Sequence, residues 1–476
     1  MENNEISTVN EEISDSSHLT RKYGLFTAIA MVVGCVVGSG VFFKAGSVLD
    51  KSGGSIGIGV LAWILGGLLM IVCAFAFATM AKRFEKVNGF TDYNEAMCGK
   101  KFGYIAGWFM ATIYGPATMA IIPFVAAMYT AVLFGQGDNT GFIFALAAMY
   151  LALVYAMTVL APKIAGYFQI STTIIKMIPI LLIGIVGIFV GMKNGFQATD
   201  LVTVMDDPVV RNVSIYGAIF QTAFAYAGWD AVAAINSEIK NSRRNLPIAL
   251  TFGSILIIII YVLYFLGVAG GGNSDALIAD GTAGTEAAVS SMFGSFASSL
   301  LLVFIVISCL GTTNGHTMAT NRHMYSLATR GIGPFPKLFA NVDPTTNTPT
   351  NGATLSLCLA FVWLFVHYMS TQPWMGDYYY IGIDDITVFG FSAICVPLFF
   401  MFMIKEKDVH WINRFVFPIL ACGASAFLVV ALFIDNVTSA LIYTAIILFV
   451  CAIGTLFLLS NSNRPEEQAV EEYPPI

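Results

Sequence analysis

Apolar residues along this chain run in long blocks, neither alternating as in half-buried strands nor confined to one helical face. A helix needs about 20 mostly apolar residues to cross a hydrocarbon core. By that ruler the sequence predicts twelve spans, at about 24–50, 56–81, 102–134, 141–161, 166–192, 213–236, 247–269, 292–320, 351–369, 379–404, 412–434 and 437–460. Several exceed the minimum, which implies tilt or interruption. The polar flanks, 1–22 and 461–476, are expected to be tails. The first carries Glu2, Glu5, Glu11, Glu12 and Asp15, where a cleavable signal needs a basic start and an apolar core.

Composition turns this pattern into a class. Only 11% of the 476 residues are charged, while 57% are hydrophobic, and the mean hydropathy is +0.77. A soluble domain carries roughly 25% charged residues, so most of this surface must face lipid. The net charge of −6 and the lack of a basic stretch give no sign of nucleic-acid binding. Eight cysteines without metal-ligand spacing read as small buried hydrophobes.

Basic residues orient the bundle. Eighteen of the 23 Lys and Arg fall on the side of the tails, and only Lys44, Lys51, Lys193 and Arg211 on the other. The positive-inside rule therefore predicts two cytoplasmic tails. Lys176 is left over, near mid-depth of the fifth span.

Two spans are predicted to break. The first contains Gly34-Cys35-Val36-Val37-Gly38-Ser39-Gly40, and each glycine weakens a helix by roughly 1 kcal/mol relative to Ala. The sixth contains Phe224-Ala225-Tyr226-Ala227-Gly228-Trp229-Asp230. Spans 1 and 6 each open a set of five, and five is odd, so the sets enter the membrane from opposite sides. Paired interruptions in such an inverted repeat point to a substrate site. Backbone groups freed by a break cannot face lipid and must line a protein-walled cavity. A half-helix start offers N–H groups to an anion, and a half-helix end offers carbonyls to a cation. An α-amino acid satisfies both.

At these residues the chain resembles the amino acid–polyamine–organocation superfamily, and within it the L-amino acid transporter branch, over about residues 22–404. The resemblance is carried by Gly38-Ser39-Gly40-Val41-Phe42, by Phe224-Ala225-Tyr226-Ala227-Gly228-Trp229, by the loop from Ser237 and Glu238 through Arg243-Arg244-Asn245-Leu246-Pro247, and by Cys309-Leu310-Gly311 with Asn314-Gly315. It implies an all-α integral membrane protein of the leucine-transporter type, moving amino acids by alternating access without cofactor, metal or catalytic residue. The parts would be a disordered tail (1–22), a first repeat (23–192), an inverted second repeat (213–404), two additional spans (405–460) and a second tail (461–476).

The resemblance also assigns roles. The N–H groups of Ser39 and Gly40, beside Gly38, would hold a substrate carboxylate. Carbonyls near Val36, and those of Phe224 and Ala227 around Ala225, would hold its ammonium, with Phe224 as an aromatic gate. Lys176 would stand in for a bound sodium ion. Ala227 takes a position where the family has Gly or Asp. The loop of residues 135–140 lacks the cysteine that joins eukaryotic relatives to a heavy subunit, so no disulfide-linked partner and a prokaryotic carrier are expected.

Other polar residues carry open alternatives. Lys176 at mid-depth costs at least about 3 kcal/mol by insertion scales and is expected to bridge the first break to span 8. Asp230 reads as a side-chain sensor, a proton carrier or an N-terminal helix acid. Asp384-Asp385 read as a solvated helix start or as a gate or proton site. His316 is a hydrogen-bonded core residue or a coupling group. Glu238 with Arg243 and Arg244 forms an inner gate or a topology-setting cluster. Nothing at membrane depth resembles a catalytic cluster or a filter loop, which disfavours an enzyme or a channel. The expected function is sodium-independent exchange or facilitated transport of small neutral amino acids. The alternative is proton-coupled amino acid or polyamine uptake.

Overall fold

The computed structural model describes residues 24–84, 89–195, 213–230, 239–272, 277–278, 282–346, 348–372 and 381–462. Glu238 and the expected tail residues 1–22 and 463–476 lie outside the described residues. Within them the chain is helical, with one isolated bridge, Asp343 to Thr348, and no strand.

In chain order the elements are α1 (Leu25–Val36), α2 (Gly40–Lys51), α3 (Ile56–Ala81), α4 (Gly89–Cys98), α5 (Lys100–Leu133), α6 (Thr140–Leu160), α7 (Pro162–Lys193) and α8 (Ile215–Ala225). They continue with α9 (Ser242–Gly271), α10 (Thr282–Phe293), α11 (Ser295–Ala328), α12 (Thr350–Ser370), α13 (Ile383–Lys405), α14 (Ile412–Asp435) and α15 (Val437–Ser462). Ten of these are long and apolar enough to cross a membrane. Among the described residues, those expected to form spans 1 and 6 give the shorter helices α1, α2 and α8, because each expected span is interrupted at its glycine-bearing segment.

One boundary differs by more than a turn and a half. Span 8 was expected to end near 320, yet α11 runs to Ala328. Its last three turns bury Thr317, Thr320, Asn321, Met324 and Leu327 at helical spacing. The polar Thr317, Thr320 and Asn321 face protein, so a hydropathy ruler calibrated on lipid stops too early. Pro179 lacks the N–H that would close on Ile175, and α7 is interrupted at the neighbouring Lys176.

Aromatic packing fixes α3 and α9 against the second break. Tyr226 donates its hydroxyl to the Trp63 carbonyl at 2.8 Å. The Trp63, Tyr226 and Tyr261 rings pack mutually at 5.1–5.7 Å. Aromatic pairs of this kind add about 0.5–1.5 kcal/mol each beyond area burial.

Candidate functional site at two helix breaks

α1 makes its last backbone bond from Val37 N–H to the Val33 carbonyl at 2.8 Å, and Val37 then turns extended with ψ 104°. The ladder resumes when Phe42 and Phe43 donate to the Ser39 carbonyl at 3.1 and 3.2 Å. The first N–H groups of a helix have no intrahelical acceptor. Those of Ser39, Gly40 and Val41 are therefore presented at the positive end of the α2 dipole.

The second break has a different cause. Tyr226 and Ala227 still donate back to Thr222 and Phe224, both at 3.1 Å, and Gly228 then adopts φ +102°. A Cβ disfavours that conformation, so the glycine makes the turn. The two breaks touch: a Cβ placed on Gly40 would lie 2.4 Å from Ala225 Cα, a contact only hydrogen can fill. Likewise Gly38 leaves no room for a Cβ beside the Thr312 side chain, at 2.7 Å.

Two polar side chains pin this junction. Lys176 is fully buried and donates to the carbonyls of Gly34 (2.6 Å) and Val37 (2.8 Å) and to Thr312 Oγ1 (3.4 Å). Its ammonium thus joins α1, at the break, to α11. Tyr261 of α9 sets its hydroxyl 2.9 Å from the Val36 carbonyl and 3.0 Å from the Ala225 carbonyl, one from each break. Sequence reasoning missed Tyr261, although a tyrosine closing a run of four isoleucines is a polar tip in need of a partner.

Val36, Gly38, Ser39, Gly40, Phe224, Ala225, Ala227 and His316 line one cavity. Tyr114, Thr118 and Ile122 of α5, Thr312 of α11 and Thr387 of α13 complete its wall. Asp230, grouped in sequence with the substrate-binding residues, is not on it. The Gly228 turn carries Asp230 to a second cavity, with Trp229, Phe391, Ser392, Cys73 and Ser425. There it accepts the Tyr114 hydroxyl at 3.4 Å, and Tyr114 and Ala227 belong to both walls.

Asp384 and Asp385 do not form a solvated helix start. Their side chains are 4% and 18% exposed, and Lys44 of α2 is ion-paired with Asp384 and, at 3.3 Å, with Asp385. The same ammonium donates to Gln221 of α8 at 2.5 Å. Lys44 had been counted only as an orienting cation; its place in an apolar run four residues after Gly40 was the available signal. Farther along α2, Lys51 pairs with Asp435 of α14 at 2.9 Å.

Charges also cluster where α13 ends. Arg330 is ion-paired with Asp92 and, at 3.1 Å, with Glu95 of α4. Arg83 pairs with Glu406 at 2.6 Å, and Lys405 reaches the Ala96 carbonyl at 3.3 Å. Among the described residues no group of three His, Cys, Asp or Glu could hold a metal, and the seven cysteines described are free thiols.

Comparison with known proteins bears on this arrangement. A family model described as "Amino acid permease" matches residues 23–457. The serine/threonine exchanger SteT of Bacillus subtilis (strain 168) is 28% identical over 90% of this chain and 94% of its own length. The b(0,+)-type amino acid transporter 1 of Mus musculus is 25% identical over 90% of this chain and 89% of its own. The cystine/glutamate transporter of Homo sapiens is 24% identical over 75% and 72%.

Proposed function

We propose, from the premise that this chain belongs to the amino acid permease family, that it moves small neutral α-amino acids across a membrane by alternating access, without sodium, as an exchanger or facilitator. Its relatives are transporters rather than enzymes, and the name of one of them specifies exchange of serine and threonine. The observation that carries the reading is the contact between the two breaks on the wall of one cavity.

The geometry supports definite roles. A substrate carboxylate would sit at the α2 start, on Ser39 and Gly40 N–H groups, where dipole and orphan donors favour an anion. Its ammonium would take carbonyls from Val36, Phe224 and Ala227. Lys176 supplies a permanent cation where its donors already satisfy the Gly34 and Val37 carbonyls, a task that a sodium ion would otherwise perform. In this reading α1–α2 and α8 with its continuation are the broken spans of a twelve-span, five-plus-five inverted repeat. The Lys44 cluster closes the outer end, and Arg330 with Asp92 and Glu95 the inner end.

The test is counterflow in proteoliposomes. Radiolabelled L-serine should accumulate when unlabelled amino acid is inside, equally in sodium and in choline buffer. A strict sodium requirement would contradict the proposal. A second reading, proton-coupled uptake, is favoured by one specific feature: two carboxylates, the buried Asp384 and the half-buried Asp385, share the single ammonium of Lys44. Uptake into empty liposomes that follows an inward proton gradient at clamped potential would select it.

A further inference from the structure

The cavity wall carries four side-chain hydroxyls beyond residues 36–40, on Tyr114, Thr118, Thr312 and Thr387. A hydroxyl has one proton to give and two lone pairs to offer. All four protons are already committed. Thr118 donates to the Tyr114 carbonyl at 2.7 Å, Thr387 to the Asp384 carbonyl at 2.6 Å and Thr312 to the Ser308 carbonyl at 3.1 Å. Tyr114 donates to Asp230. All three threonines are less than a tenth exposed, so water does not compete freely for these bonds.

The cavity is therefore divided by hydrogen-bonding sense. Donors come from the α2 start, where a carboxylate is favoured, while the hydroxyl-bearing wall of α5, α11 and α13 offers lone pairs; the His316 ring can do either. Resting on the transport reading above, we infer that this wall reads the substrate side chain by requiring it to donate a hydrogen bond. The structure thereby favours β-hydroxy amino acids over apolar isosteres and over side chains that only accept. Thr118 and Thr387 are the specificity-determining residues.

The size of the preference follows from the same commitments. A site whose own buried donors go unpaired with the wrong ligand rejects it very strongly. Here the wall hydroxyls keep their backbone bonds whatever is bound, so an apolar side chain leaves only lone pairs unmet. One hydrogen bond's net worth is then at stake, about tenfold in affinity.

Competition against counterflow in proteoliposomes of the full chain tests this with matched ligand pairs. L-threonine should outcompete L-valine, and L-serine should outcompete L-2-aminobutyrate, each by about tenfold. O-methyl-L-serine, which keeps the oxygen and loses the proton, should behave like L-2-aminobutyrate, and L-aspartate should compete least. In Thr118→Val and Thr387→Val the serine to 2-aminobutyrate ratio should fall at least about threefold, and Thr118→Ser should keep it. A ratio is read within one preparation, so expression and folding cancel. Uptake with a flat profile across these pairs, or ratios unmoved by both valine variants, would overturn the inference and leave the transport reading standing. No exchange of any amino acid would overturn the transport reading itself, and the inference with it.

Discussion

At the scale of single residues, the site depends on ammonium and hydroxyl groups placed where backbone has been stripped of its partners. Lys176 serves the Gly34 and Val37 carbonyls inside a wholly buried environment. Lys176→Met keeps much of the stem and removes every donor, leaving carbonyls whose unmet bonds cost about 1–3 kcal/mol each. Counterflow should fall at least about tenfold by that arithmetic, with a lower melting temperature by scanning fluorimetry. Unchanged kinetics would remove Lys176 from the mechanism. Depth alone made this lysine conspicuous in the sequence. Tyr261 was not conspicuous, because a tyrosine in an apolar run satisfies the composition of a membrane helix and its partners lie far off in the chain, at Val36 and Ala225.

At the scale of elements, the breaks were legible because glycine acts locally: three glycines in seven residues weaken the first expected span, and Gly228 takes a φ that other residues avoid. The end of α11 was not legible, since its polar side chains face protein instead of water. Nor was the separation of Asp230 from the cavity between the two breaks, which follows from the direction in which one turn leaves α8. The Lys44 cluster also arises only in three dimensions, tying α2 to α8 and α13. Lys44→Met strands the buried Asp384 carboxylate and the half-buried Asp385, and breaking a buried pair costs about 3–5 kcal/mol. If the cluster closes the site, a cysteine placed at Ile122, in a background without native cysteines, should react at least about tenfold faster with an external thiol reagent in the Lys44→Met variant. An unaltered labelling rate would show that the cluster holds no gate.

At the scale of the molecule, the long helices form a multi-pass membrane protein whose two broken elements meet on one cavity. The distribution of Lys and Arg predicts its orientation. A cysteine at Asp138 should be labelled by an impermeant reagent on intact cells, and one at Lys407 only after the membrane is opened. The reverse pattern would invert the assignment of outer and inner ends. The claim on which all of this turns is that residues 38–40 and 224–227 together grip one zwitterion. A cryo-electron-microscopy map with saturating L-serine tests it most directly. Density is expected between the two breaks, with the carboxylate in hydrogen-bonding reach of the Ser39 and Gly40 N–H groups. Serine density elsewhere in the bundle, or helical backbone running unbroken through both segments, would contradict it.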